Sequence, residues 1–362
     1  MNSTKVFHYF DHNATTPVSR EVQDALPEIA SSWGNPSSIH WGGRQPKNIL
    51  RDARKAIADA ISASPLEIIF TSGGSESNNT VLHGLFEYYQ TAPFVSAEQR
   101  VRLHYMCSAV EHPSVMKTME HLKSLGAQVD FIPVNRKGEL DMEFFDAHLT
   151  EKTALVSVMA ANNETGTLFP IKELARKAHA VGALFHTDAV QMFGKLPLNV
   201  KDLDVDFASF SGHKFYSVKG SGVLYVKKGA NVSALVQGGA QERHRRGGTE
   251  NTLGIGALGV AVRRMSQVAD KAQAIATLRD YMEARILSEI SEVSLTAAET
   301  ARLPNTSSLI LNGVDGETML MSLDIMGSPF LLGRPVPAEI RNQVRCYWRW
   351  DSRVRKHKTV CV

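Results

Sequence analysis

Short apolar runs alternate with longer amphipathic stretches along this chain, and that order predicts strands and helices in turn. Ile68–Phe70, His104–Cys107, Ala154–Met159 and Ala183–His186 have the length and apolar density of buried strands, as do Phe207–Phe210 and Val223–Val226. Between them, Gln45–Ile61 carries Ile49, Ala53, Ile57 and Ile61 at helical spacing. Arg20–Ala30 after Ser19, Asn78–Tyr89 and Ile171–Val181 also read as helices. Tyr9–Pro17 reads as a short strand entering a polar turn. Beyond these, Ile255–Ile290 holds a long helical pattern broken near Ala269, followed by a strand at Ser307–Leu311 and a helix at Gly316–Ser322. Strands alternating with helices argue for a mainly parallel sheet in an α/β fold, with a smaller α+β unit after it.

In such sheets ligands sit at the carboxyl ends of the strands. Successive strand ends here offer His112, Asn163, Asp188 with Gln191, and Lys214. Lys214 closes the turn Ser211, Gly212, His213. An amine at the end of a buried strand suits a Schiff base to an aldehyde cofactor. Burial and cationic neighbours lower its pKa and leave it nucleophilic. Taken alone, the same four residues more often mark a surface lysine in a hairpin. Thr71–Asn79, TSGGSESNN, reads as strand, glycine turn and helix start, with Gly74 and Ser75 at a position that cradles phosphate. Taken alone, it is an ordinary strand-to-helix turn. The shared placement of these groups is the signal.

The chain has 362 residues, 43% hydrophobic and 21% charged, enough for a large core in one or two domains. No apolar stretch approaches a membrane span, and Cys107, Cys346 and Cys361 form neither a disulfide nor a zinc spacing. A reducing compartment, the cytoplasm, is expected, with no membrane contact and no metal. The net charge of +3 is uneven: from Gly327 onward eight Lys and Arg face two acids, which makes that tail +6 and the rest −3.

Together, FDHNATTP, GNPSSIHWGGR, TSGGSESNN, EHPSV, NNETG, HTDAVQ, SGHKFYSVKG and GGTEN resemble the NifS/IscS-like cysteine desulfurases. These are class V of the pyridoxal-phosphate enzymes of fold type I. The likeness runs from Tyr9 to about Met326, with Ser217-Val218 where the family usually has Gly-Pro. It implies a PLP-dependent transferase fold of type I: a large α/β domain with a mainly parallel seven-stranded sheet, and a small C-terminal α+β domain. The expected bounds are 1–16 as a segment contributing to the small domain, 17–255 as the large domain, 256–326 as the small domain and 327–362 as an aberrant tail. The resemblance further implies that Lys214 holds pyridoxal phosphate, that Asp188 pairs with its ring nitrogen, and that His112 stacks on its ring. Gln191 and Asn163 are expected at the ring oxygen, and Gly74, Ser75, Ser211 and His213 at the phosphate. Thr249 would reach the phosphate of a neighbouring subunit in a homodimer, and Asn35 the substrate carboxylate. The implied reaction takes L-cysteine to L-alanine and an enzyme-bound persulfide, whose sulfur passes to an iron–sulfur scaffold or a sulfur-carrier protein.

The family's persulfide cysteine lies in a loop of the type SSGSACSSG. This chain has GSPFLLGRPVPAEIRNQVRCYWRW instead, and neither Cys346 nor Cys361 has a Ser/Gly setting. A shifted reading frame accounts for this. Codons read from the third base of each residue allow ISVSSGSACSSGNQKPSPVLLAMG across Gly327–Asp351, with the cysteine from Pro335 and Val336. Thr359–Val362 likewise allow Ser-Leu-Arg, the family's carboxylate-binding end. Desulfurase turnover by the chain as written is therefore expected to be absent or very weak. The frameshift also explains the basic tail without nucleic acid. Other readings are another class V activity (an aminotransferase or selenocysteine lyase) and a catalytically dead subunit that dimerises.

Overall fold

The apolar runs become the strands of one sheet, and the amphipathic stretches pack on its two faces. The computed structural model describes residues 8–93, 95–100, 102–135, 137–325, 331–332 and 357–361. In order, the elements are α1 (Arg20–Ser31), α2 (Trp41–Ala60), β1 (Ile68–Thr71), α3 (Gly74–Thr91), α4 (Ala97–Arg100), β2 (His104–Ser108), α5 (Pro113–Ser124) and β3 (Gln128–Ile132). Next come α6 (Met142–His148), β4 (Thr153–Ser157), α7 (Ile171–Ala180), β5 (Leu184–Asp188), α8 (Val200–Leu203), β6 (Phe207–Ser211) and β7 (Gly222–Val226). The last are α9 (Thr252–Arg263), α10 (Val268–Glu289), β8 (Val293–Leu295), β9 (Ser308–Asn312), α11 (Gly316–Ile325), β10 (Leu331–Leu332) and β11 (His357–Cys361).

The seven-stranded sheet has the order β1-β7-β6-β5-β4-β2-β3. From β6 to β3 every pairing is parallel, while β1, β7 and β6 pair antiparallel. Strand side chains alternate between two cores, as the pleat requires. Phe70, Met106, Ala208 and Phe210 face α2, α7 and α9, whereas Ile69, Tyr105, Phe207 and Leu224 face α3 and α5. The second sheet, β10-β11-β9-β8, is antiparallel throughout. The fold is the expected α/β class with a mainly parallel seven-stranded sheet.

β1 is an edge strand, and its outer polar groups are taken by side chains rather than by another strand. Phe70 N donates to Glu242 Oε2 at 3.0 Å. Ile68 O accepts from Arg54 at 2.7 Å and from Arg243 at 2.8 Å, and Leu66 O accepts from Arg245 at 2.6 Å. Arg54 and Glu242 form a two-pronged ion pair at 2.8 and 2.5 Å.

Several expectations are corrected. Tyr9–Pro17 is not a strand; its backbone bonds the lysine loop instead, Thr16 N to His213 O at 2.8 Å, with Ser19 N to Tyr216 O at 3.0 Å. The helix expected from Asn78 begins at Gly74, and the one expected from Gln45 begins at Trp41. β4 ends at Ser157 rather than Met159. β3, α5 and α6 were not anticipated. Of the tail, only the short strands β10 and β11 are described; the other tail residues, Cys346 among them, lie outside the described residues.

Candidate active site

Lys214 and Asp188 stand at the ends of neighbouring strands. β5 ends at Asp188, β6 pairs parallel beside it, and the chain then turns through Gly212 and His213 to Lys214. This turn is tight because of small residues. A Cβ at Gly212 would sit 2.7 Å from both Leu258 and Ser221, and one at Gly222 would sit 2.5 Å from the Gly73 backbone. The lysine loop, the start of β7 and the 73–74 turn are therefore packed against each other.

The Lys214 amine donates to Asn13 O at 2.5 Å and Ala14 O at 2.8 Å. Burial lowers its pKa, against the opposing pull of Asp11 and Asp188. Asp188 is 6% exposed; its Oδ2 accepts from Asn78 Nδ2 at 2.8 Å and its Oδ1 from Val190 N at 3.0 Å. Asn78 also donates to Ser114 Oγ at 2.9 Å, and that hydroxyl meets His112 Nδ1 at 2.8 Å. His112 Nδ1 also accepts from Ser114 N at 3.1 Å as the N-cap of α5. Nδ1 is then an acceptor, and a neutral imidazole carries its proton on Nε2. Loss of solvation lowers the His112 pKa; Asp188 opposes this, and the Lys214 charge adds to the lowering. A relay of hydrogen bonds thus joins Asp188, Asn78, Ser114 and His112.

Gly74 and Ser75 open the 18-residue helix α3, whose free N–H groups favour an anion. A Cβ at Gly74 would lie 3.6 Å from Ser211 Cβ, so Ser211 borders the same turn. His213 Nδ1 contacts Thr15 Oγ1 at 3.1 Å, and burial with Lys214 and Lys219 holds its pKa down to about 4. Arg246 pairs with Glu76 at 2.9 Å and draws the 238–251 loop to the start of α3; Thr249 lies exposed in that loop. Asn35 is exposed as well, and its Oδ1 accepts from Ser37 N at 2.9 Å within its own loop. Asn163 O accepts from Asn13 Nδ2 at 3.2 Å.

Three participants were missed from sequence. Asn13, 7% exposed, sits in the middle. Its Oδ1 accepts from Lys195 at 2.9 Å and Asn305 at 3.1 Å, its Nδ2 donates to Thr306 Oγ1 at 3.0 Å, and its carbonyl accepts from Gln191 Nε2 at 3.0 Å. Lys195 also donates to Gln191 Oε1 at 2.6 Å; burial and then Lys214 push its pKa down to about 7. Glu111, next to His112 in sequence, is driven up to about 8 by burial, with Asp188 adding to it. Asn13 belongs to the FDHNATTP stretch, and Lys195 follows Gln191 by four residues; proximity to those motifs was the one available signal.

A buried carboxylate and a pKa-lowered amine at adjacent strand ends, with an anion-receptive helix start beside them, are the groups a phosphorylated aldehyde cofactor needs. The residues present fit such a group. The fold is that of an enzyme, and the chain belongs to the aminotransferase class-V family, which it matches over residues 8–328. Its relatives narrow the class further. It is similar to cysteine desulfurase IscS of Dictyoglomus turgidum, at 41% identity over 88% of this chain and 79% of that protein. Among solved structures it is similar to a NifS-like protein, with a TM-score of 0.88, 30% identity, and coverage of 99% of this chain and 94% of that one. It is also similar to SspA in complex with cysteine, with a TM-score of 0.80, 30% identity and 97% of each chain covered.

Proposed function

We propose that this chain carries the cofactor site of a cysteine desulfurase: Lys214 binds pyridoxal phosphate, and L-cysteine is the substrate class the site is built for. One observation carries the reading, the pairing of buried Asp188 on β5 with the pKa-lowered Lys214 amine after β6. When bound, the cofactor supplies an electron sink for the substrate's Cα electrons. The protein's own groups do the rest. Asp188 keeps the ring nitrogen protonated, His112 offers the face of a neutral imidazole, and Gly74, Ser75, Ser211 and His213 receive the phosphate. Asn163 and Gln191 serve the ring oxygen, and Asn35 the substrate carboxylate. The solved complex of SspA with cysteine supports the choice of substrate.

A homodimer belongs to this reading. Thr249 is exposed, and Trp33, Ile39 and Trp41 flanking Asn35 are 81%, 100% and 74% exposed. A second copy covering that loop would bring its own Thr249 toward the phosphate. The sulfur acceptor would be an iron–sulfur scaffold or a carrier protein, and the compartment the cytoplasm. Among the described residues no helix is long and apolar enough to cross a membrane.

The division into 17–255, 256–326 and a segment 1–16 joined to the latter is part of the same proposal, supported by the bonds from Asn13 to Asn305 and Thr306. So is the out-of-frame tail, supported by a family match that stops at residue 328, next to the change in composition. Cys107 is no substitute for the missing persulfide cysteine, since it is fully buried and its thiol pKa is raised by that burial. Titrating the purified chain with pyridoxal phosphate tests the reading. A visible band of lysine-bound cofactor should form and be abolished in Lys214→Ala, while alanine release from cysteine stays absent or very weak. A band that survives Lys214→Ala sinks the assignment of the lysine. Codons at Gly327 that are incompatible with SSGSACSSG sink the frameshift.

A further inference from the structure

Gln191 is 5% exposed, and its amide is held at both ends. Oε1 accepts from Lys195 Nζ at 2.6 Å, and Nε2 donates to Asn13 O at 3.0 Å. An ammonium donates and never accepts, so whatever faces it must be the oxygen of the amide. Lys195 thereby decides which way round Gln191 sits. The same Lys195 Nζ holds Asn13 through Oδ1 at 2.9 Å, and Asn13 O receives the Lys214 amine at 2.5 Å. Two donors, Gln191 Nε2 and Lys214 Nζ, therefore meet on one carbonyl. The bonded partners of Lys195 are amide oxygens rather than a carboxylate, which is unlike a surface cation seeking a counter-ion.

We propose that Lys195 is a positioning residue for the cofactor site, locking the Gln191 amide so that its NH2 end, and not its oxygen, faces the lysine-bound aldehyde cofactor. This rests on the reading that Lys214 binds pyridoxal phosphate. In that molecule the ring hydroxyl is on the carbon next to the one bearing the aldehyde, so a group beside the Lys214 amine meets that oxygen. An amide NH2 there stabilises the oxygen in its anionic form. With the amide reversed, two oxygens oppose each other. Asn13 shares the load: its side chain is pinned by Lys195 and Asn305, which fixes the carbonyl on which both donors rest before the cofactor arrives.

The test is a double-mutant cycle on the full chain with Lys195→Met, Gln191→Leu and both together. Pyridoxal phosphate is titrated into each apoprotein, and the affinity and the ratio of visible bands are read. Lys195→Met is expected to weaken binding about tenfold, about 1.4 kcal/mol, and to change the band ratio in the direction that Gln191→Leu does. In the Gln191→Leu background the same change should add less than about twofold, because a residue acting through another has nothing left to orient. Lys195→Arg, which still donates, should restore most of the wild-type spectrum. Should the Met variant not fold, as judged by the apoprotein melt, Lys195→Ala, which likewise cannot donate, takes its place in the cycle. A wild-type band left unchanged in affinity and ratio by Lys195→Met overturns the inference alone, as do effects that multiply in the double variant. A wild-type chain that forms no band overturns the functional reading and this inference with it.

Discussion

Among the described residues, the two sheets of this molecule are enclosed to different degrees. In the large sheet β1, β2, β4, β6 and β7 are buried at every residue and sandwiched between helices. In the smaller sheet β8 has no buried residue, and α10, with 22 residues, buries only Ala272 and Glu283. Leu278 and Tyr281 on that helix are 69% and 63% exposed. Apolar burial is the main source of folding free energy, so the two regions draw very unequally on it. Backbone bonds tie the second region to the first: Leu303 N reaches Gly166 O and Leu168 N reaches Ala301 O, both at 2.8 Å. Inside it, Arg302 and Glu283 pair at 2.8 Å with 7% and 5% of their side chains exposed, and Arg279 donates to Leu303 O at 2.6 Å. The lesson is that the candidate site stands on the more enclosed half and is connected through Asn13 to the more open one.

Four substitutions test that contrast, in falling order of effect. Phe210→Ala empties a fully buried position packed on Phe193 at a 4.8 Å ring separation. It should cost about 3–5 kcal/mol in denaturant unfolding of the large sheet. Arg302→Ala leaves Glu283 buried without its cation and should cost about 3 kcal/mol. The loss should be read locally, as faster amide exchange in 268–312 with the large sheet unchanged; uniform exchange throughout would erase the contrast. Glu111→Gln acts through pH. The carboxyl's pKa rises from 4.5 to about 8 on folding, so between those values the folded chain holds a proton that the unfolded chain releases. Stability from this group is complete below the lower value and is lost as pH rises through the upper one. Denaturation midpoints of the wild type should therefore fall from about pH 5 to about pH 8.5 more steeply than those of Glu111→Gln. Parallel curves would show that Glu111 does not titrate as its burial implies. Leu278→Ala, on the open face of α10, should move stability by less than about 0.5 kcal/mol.

The strand ends carrying Asp188, Gln191 and Lys214 were legible because their cues are local: an apolar run, a stop, a polar residue. The same cue failed at Tyr9–Pro17, where a segment that turns at 12–14 bonds a loop about 200 residues away in place of a ladder neighbour. β3 escaped notice because Gln128 is exposed and Asp130 and Phe131 are only partly covered, which breaks the apolar run that revealed the inner strands. Asn13 and Lys195 were illegible for a different reason. Their contacts span 182 residues, and Asn13 reaches Asn305 across 292, so nothing near either in sequence announces the meeting. Motifs report what a short stretch does, and a junction between distant stretches appears only when the chain is folded.

The side chains that close the outer rim of β1 have a consequence for how this protein fails. Glu242, Arg243 and His244 adopt left-handed backbone angles in succession, with φ of 46°, 59° and 63°. Such residues cost about 1–2 kcal/mol each. One local backbone bond, Arg245 N to Glu242 O at 3.2 Å, offsets part of that, and the ion pair with Arg54 and the bonds to β1 offset more. If the turn relaxes, the strain is released and the rim of an apolar edge strand is uncovered in the same event. A bare rim of this kind recruits other chains. Fibril or clump formation by this protein should then begin at β1, long before the large sheet itself has come apart.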